Sequence, residues 1–271
     1  MSDRELLAGY VETWWSAIGD LVALLDQLDP DDWARETDLA GWDVKAVVSH
    51  TAHLESLLGG GPNETAEIGE APHITGPMGQ FTEIGVVTRR EVAPAAIVEE
   101  IRTRTGARRA ALLADVPDDA AAPAPGIFGM IGWNQRTLLR NRPLDVWMHE
   151  QDIRRATGRP GGMDSAAARH TTDYLAEGFG FVLGKRVAPP VGTTAVLDVA
   201  GSEPIAVVIG EDGRARRLPD VPAGPTVALS MDRESFIVLA GGRRPAADGA
   251  VTISGDQELG RSIVARLATT P

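Results

Sequence analysis

The sequence predicts an all-helical N-terminal domain, a four-helix bundle, followed by a small α+β domain. Three observations carry that prediction. Apolar residues recur at three-and-four spacing in four segments before residue 160. After Pro189-Pro190 the period switches from 3.6 toward 2. Gly/Pro breaks at Gly59-Gly-Gly-Pro62 and at 158–162 punctuate the pattern. At 271 residues, 43% of them apolar, the chain can bury a core in each of two domains. The expected division is 1–160 for the bundle, 161–190 for a connecting helix and 191–271 for the α+β domain.

Residues 4–28 place Leu7, Val11, Trp14, Ile18, Leu21 and Leu25 on one stripe, the mark of a long amphipathic helix that stops at Asp29-Pro30. Asp43 is a good N-cap for a second helix, with Val44, Val47, Val48, Thr51, Leu54 and Leu58 on its buried side. Residues 63–88 are punctuated by Gly and Pro and weakly periodic, so a long connection is expected there. A third helix is expected over 94–115, with Ile97, Ile101, Leu112 and Leu113 apolar and Arg102, Arg104, Arg108 and Arg109 solvated. The Ala/Pro stretch 120–125 reads as a link. A fourth helix, 131–157, spans Pro143 and ends at Gly158. One more helix over 164–184 leads to strands at 194–199, 205–209, 226–230 and 251–254. Gly210 to Gly213 forms a hairpin turn, and helices follow at 232–239 and 259–267.

Composition excludes several functions. The formal charge is −12 and no basic run exceeds two residues, so the electrostatic footprint of a nucleic-acid or anionic-membrane binder is missing. Without cysteine there is no disulfide, thiolate metal site or Cys nucleophile, and any thiol chemistry must use a thiol from outside. The polar start and the lack of a long apolar run make the cytoplasm the expected location. Only Lys45 and Lys185 are lysines among 26 basic residues, a GC-rich coding bias that suggests an actinobacterial source. A monomer or weak homodimer is expected.

The chemistry concentrates in Arg142-Pro-Leu-Asp-Val-Trp-Met-His-Glu-Gln-Asp-Ile-Arg-Arg155. On a helix, Asp145 and His149 are four residues apart and Asp152 three further on, so all three project from one face. Such a carboxylate and imidazole can bind one metal ion, or pair as ordinary surface groups with Arg142 and Arg155. His50, on the second helix, can complete a three-ligand site in a bundle core. His53, about 60° round the same helix, is the competing ligand; His50 is preferred because it continues the Val47–Thr51–Leu54 stripe. Two histidines and a carboxylate suit Zn²⁺ and also fit non-haem iron.

Gly41-Trp-Asp-Val-Lys-Ala-Val-Val-Ser-His50, followed by the Arg142–Arg155 segment, resembles the mycothiol-dependent maleylpyruvate isomerase family of DinB-like four-helix metalloproteins. Ser230 to Arg244 and Val251 to Gly260 resemble that family's C-terminal domain, which is similar to sterol-carrier-type α+β domains. The resemblance implies a zinc ion held by His50, Asp145 and His149, with Asp152 fixing a ligating imidazole. It departs from the family pattern at Asp145, where glutamate is expected. It also implies mycothiol as thiol cofactor or co-substrate and a small-molecule electrophile as partner. For a dicarboxylate electrophile, Arg243 or Arg244 would clamp a carboxylate. Cis–trans isomerisation and thiol S-transfer both fit. A zinc hydrolase, with Glu55, Glu150 or Asp152 as base, and a non-catalytic metal or small-ligand binding module are the alternatives.

Overall fold

The computed structural model describes residues 1–270, which fall into two compact units divided between Gly162 and Met163. In the first, α1 (Asp3–Leu25) begins at Ser2, whose hydroxyl accepts from Glu5 N while the Glu5 carboxylate accepts from Ser2 N. It buries Leu7, Val11, Trp14, Ile18, Leu21, Leu24 and Leu25. A short turn, Pro30–Ala34, follows. In α2 (Val44–Leu58) the Asp43 carboxylate caps the helix by accepting from Ala46 N at 2.7 Å.

The rest of this unit is α3 (Gly76–Thr88), α4 (Pro94–Ala114), the single-turn α5 (Gly126–Met130) and α6 (Gln135–Thr157). Helix α1 packs on α4 and α6, and α2 packs on α3, α4 and α6, so four long helices share one core. Asn134 caps α6 by accepting from Thr137 N, and Gly158 ends it at φ 66°. The helix continues past Pro143, giving up the one N–H that would have reached Leu139 O.

Four features of the helices differ from the sequence expectation. The connection at 63–88 contains α3, whose glycines hid its period. One of them has a packing reason: a Cβ at Gly85 would stand 2.4 Å from His53 Cβ and 3.0 Å from Ser49 O. Gly85→Ala is therefore expected to cost about 1–3 kcal/mol of stability through overpacking, read as a lower denaturant midpoint. Arg108, expected in solvent, is 6% exposed. The 131–157 helix starts instead at Gln135, after the α5 turn. The helix expected over 164–184 breaks at Gly178, where a Cβ would meet the Thr269 methyl at 2.9 Å.

The second unit contains α7 (Ala166–Ala176), the short α8 (Phe179–Phe181) and a π-type turn at Val182–Val187. A five-stranded mixed sheet follows, in the order β3-β2-β1-β4-β5. The strands are β1 (Thr194–Val199), β2 (Ile205–Ile209), β3 (Ala215–Arg217), β4 (Val227–Met231) and β5 (Val251–Gly255). Only the β1–β4 pair is parallel; its register sets Leu197 opposite Leu229. Helix α9 (Arg233–Ala240) packs on α7, and α10 (Gln257–Val264) packs on β4 and β5. Their N-caps, Asp232 and Asp256, accept backbone N–H groups. Among the described residues no helix is long and apolar enough to cross a membrane.

Candidate metal centre

Three donors converge inside the first unit. One ligand atom from each of His50, Asp145 and His149 lies within 4.8 Å of the others. His50 comes from α2, where residues 44 and 46–56 are all buried between neighbouring helices, and the other two come from successive turns of α6. The His50 and His149 rings meet edge to face, centroids 5.1 Å apart.

Each donor is fixed by a partner behind it. His149 Nδ1 lies 3.2 Å from Asp152 Oδ2, which places its proton there and turns Nε2 toward Asp145 Oδ1, 3.8 Å away. Asp152 is fully buried and also accepts from Arg155, whose Nε donates to Asp38 Oδ2 at 2.7 Å. The two roles considered for Asp152, partner of a histidine and partner of Arg155, are thus both present. His50 Nδ1 faces Thr82 O of α3 at 3.5 Å, the limit of a hydrogen bond. Trp42 covers the pair, its ring 4.9 Å from His50 and 6.3 Å from His149, while its Nε1 donates to Glu83 Oε2 at 2.9 Å.

The electrostatics suit a cation. Burial, reinforced by His149, pushes the His50 imidazole down to about 3, so it is neutral and its lone pair is free at neutral pH. Burial alone would raise Asp145, but the Arg142 guanidinium beside it outweighs that and holds the carboxyl well below the usual range. Two imidazoles and one carboxylate, one imidazole backed by a buried carboxylate, are a fitting donor set for zinc.

Sequence reasoning considered Arg142 as a surface partner of Asp145 and missed that the pair is buried and backed by Glu55. Arg142, 1% exposed, sends Nη2 to Asp145 Oδ2 at 2.9 Å, close in distance though poorly aligned as a hydrogen bond. Its Nε and Nη2 also donate to Glu55 Oε1 at 3.0 and 2.8 Å. Glu55, fully buried, further accepts from Trp14 Nε1 at 3.1 Å and Arg108 Nη1 at 3.0 Å. The signal was present: Glu55 lies five residues after His50 on a buried helix, where an unpaired carboxylate is not sustainable.

The other candidates lie elsewhere. His53 stands outside the three-residue group; its Nδ1 is 3.1 Å from Glu64 Oε2, and Arg89 and Thr88 hold that carboxylate. Arg243 and Arg244 follow α9 in the second unit, where the Arg243 guanidinium donates to Gly241 O at 2.7 Å. A cleft of about 680 Å³ is lined by Trp42, Lys45, Ser49, His73 and Arg90 among others. It shares Trp42 with the centre, but none of the three donors lines it.

Residues 14–154 match the family described as "Mycothiol maleylpyruvate isomerase N-terminal domain", a stretch that contains all three donors. Residues 169–261 match the "MDMPI C-terminal domain". The fold is similar to the crystal structure of the mycothiol-dependent maleylpyruvate isomerase, with TM-score 0.58 and 17% identity over 94% of this chain and 95% of that one. A crystal structure of a histidine-to-alanine mutant of a mycothiol-dependent maleylpyruvate isomerase aligns over the same shares with TM-score 0.54 and 17% identity. No curated protein matches the sequence.

Proposed function

The chain belongs to the mycothiol maleylpyruvate isomerase family, and from that premise we propose that it is a zinc-dependent enzyme that uses mycothiol to attack a small electrophile. The observation that carries the reading is the His50, Asp145, His149 group, whose donor atoms lie within 4.8 Å of one another. A zinc ion held there would keep a bound thiol in its nucleophilic thiolate form at neutral pH.

The chain's own residues set up the rest. His50 is kept neutral by burial and Asp145 is kept ionised by the Arg142 guanidinium, so no proton has to leave either group before it binds a cation. Asp152 holds the proton of His149 on Nδ1. The Trp42 ring lies over the imidazoles and limits water at that side. With no cysteine in the sequence, the sulfur nucleophile has to be a separate molecule. Its thiolate adds to an activated carbon–carbon double bond and leaves the neighbouring carbon with the electron pair. Rotation about the resulting single bond and expulsion of the same thiolate regenerate the double bond as the other isomer. Where a proton traps the adduct instead, the product is a thioether and the reaction is S-transfer.

The hydrolase alternative needs a carboxylate beside the centre that is free to act as base. Glu55 is taken by two arginines and Trp14, and Asp152 by His149 and Arg155. Glu150 is turned about 100° round α6 from His149 and pairs with Arg154 at 2.6 Å. These engagements favour thiol chemistry.

The test is to incubate the purified chain with mycothiol and a panel of electrophiles that includes maleylpyruvate, and to identify products by mass spectrometry. Isomerised substrate or a thiol adduct, formed only with both thiol and zinc, is the expected result; turnover without thiol would overturn the proposal. For acidic substrates we assign the carboxylate clamp to Arg243 or Arg244. Changing the clamping residue to Lys keeps the charge and loses the fork, so kcat/KM on carboxylate substrates should fall about ten- to a hundredfold with metal content constant. Unchanged rates in both variants would remove these residues from the site.

A further inference from the structure

We propose that Arg142 is a positioning residue that makes Asp145 a one-oxygen ligand: its guanidinium, locked in place by Glu55, occupies Asp145 Oδ2 and leaves Oδ1 to face the metal. The inference rests on the metal centre proposed above and adds to it the group that sets its geometry.

Arg142 has little freedom of position. It is one turn before Asp145 on α6 and 1% exposed, and Glu55 Oε1 takes both its Nε and Nη2. A guanidinium held through two nitrogens on one side is planar and fixed, so the position of Nη2 and of the positive charge it carries is fixed too. That Nη2 lies 2.9 Å from Asp145 Oδ2. The opposite oxygen, Oδ1, is the one nearest His149 Nε2, at 3.8 Å. That spacing is too long for a hydrogen bond and suits two donors that share an ion. The Asp145 carboxylate is therefore divided between a cation on the protein side and the open side of the site.

Charge bookkeeping points the same way. A guanidinium next to a metal centre opposes the metal's charge, which makes it a costly neighbour unless it does something else. Glu55 carries the balancing charge, and Arg108 takes the other Glu55 oxygen. The whole array, Arg108–Glu55–Arg142–Asp145, alternates in sign and ends at the ligand oxygen. A shorter carboxylate on a helix has less reach than glutamate, and an arginine ion-paired with its far oxygen at 2.9 Å biases the orientation that remains.

Arg142→Lys separates position from charge, because a single ammonium cannot span Glu55 and Asp145 as the fork does. Three readouts apply to the full-length chain: zinc affinity by competition with a chromophoric chelator, the visible spectrum of the Co²⁺-loaded protein, and the melting temperature without metal. The wild type should give the intense visible bands of four-coordinate cobalt. In Arg142→Lys, Oδ2 is freed to join the ion, so the bands should weaken toward those of higher coordination, and zinc affinity should fall about ten- to a hundredfold. A folded Arg142→Lys chain with wild-type affinity and an unchanged cobalt spectrum would overturn the proposal. If the lysine variant does not fold, the doubly neutral Arg142→Gln/Glu55→Gln chain removes both charges together and should show the same spectral change; an unchanged spectrum there overturns it equally. A wild-type chain that binds neither zinc nor cobalt would instead overturn the metal centre on which the proposal depends.

Discussion

His50→Ala, Asp145→Ala and His149→Ala should each emerge from purification nearly free of zinc, against about one ion per chain in the wild type. Three protein ligands are the minimum for a catalytic zinc site, and the three donors here are the group whose ligand atoms lie within 4.8 Å. Loss of one leaves a two-ligand site whose affinity drops by orders of magnitude. His53→Ala is the control, since its imidazole is engaged by Glu64 away from the group. Metal analysis by mass spectrometry reads the result. Zinc retained in His50→Ala and lost in His53→Ala would reverse the ligand assignment.

Glu55→Ala should be the most destabilising single change in the first unit. It leaves Arg142 and Arg108, at 1% and 6% exposure, without their shared carboxylate and deprives Trp14 Nε1 of its acceptor. Removing one partner from a buried ion network costs about 3–5 kcal/mol, because the stranded charges stay out of water. Against a total stability of about 5–15 kcal/mol for a typical domain, that is a large share. Glu55→Gln keeps the volume and an acceptor oxygen and should lose less. Denaturant unfolding of the metal-free chains gives the comparison, and a Glu55→Ala chain within about 1 kcal/mol of wild type would show that the network adds little.

The parts legible in the sequence are those whose signals are local. Asp43 as a cap, the α1 stripe from Leu7 to Leu25, and the strands 194–199 and 205–209 follow from side-chain chemistry and period alone. The site was legible because i, i+4 spacing puts Asp145 and His149 on one face, whatever else the chain does. What stayed hidden depends on tertiary contact. Helix α3 carries Gly76, Gly79 and Gly85 and is held by packing on α2, with Gly85 admitting the His53 side chain. The edge strand β3, Ala215–Arg217, is short and charged, as suits an edge and as disguises a strand. Arg108 sits among arginines on a helix that reads as solvated, and the buried Glu55 and the Trp14 ring across from it draw it inward.

On the proposed mechanism the centre formed by His50, Asp145 and His149 binds the thiol sulfur. Cobalt reports this directly, because a thiolate bound to Co²⁺ adds a sulfur-to-metal charge-transfer band in the near ultraviolet. Titrating the Co²⁺-loaded wild-type chain with mycothiol should raise that band to saturation at one thiol per metal, and the His149→Ala chain should show none. A cobalt-loaded wild-type chain whose spectrum does not respond to the thiol at any concentration would contradict the account.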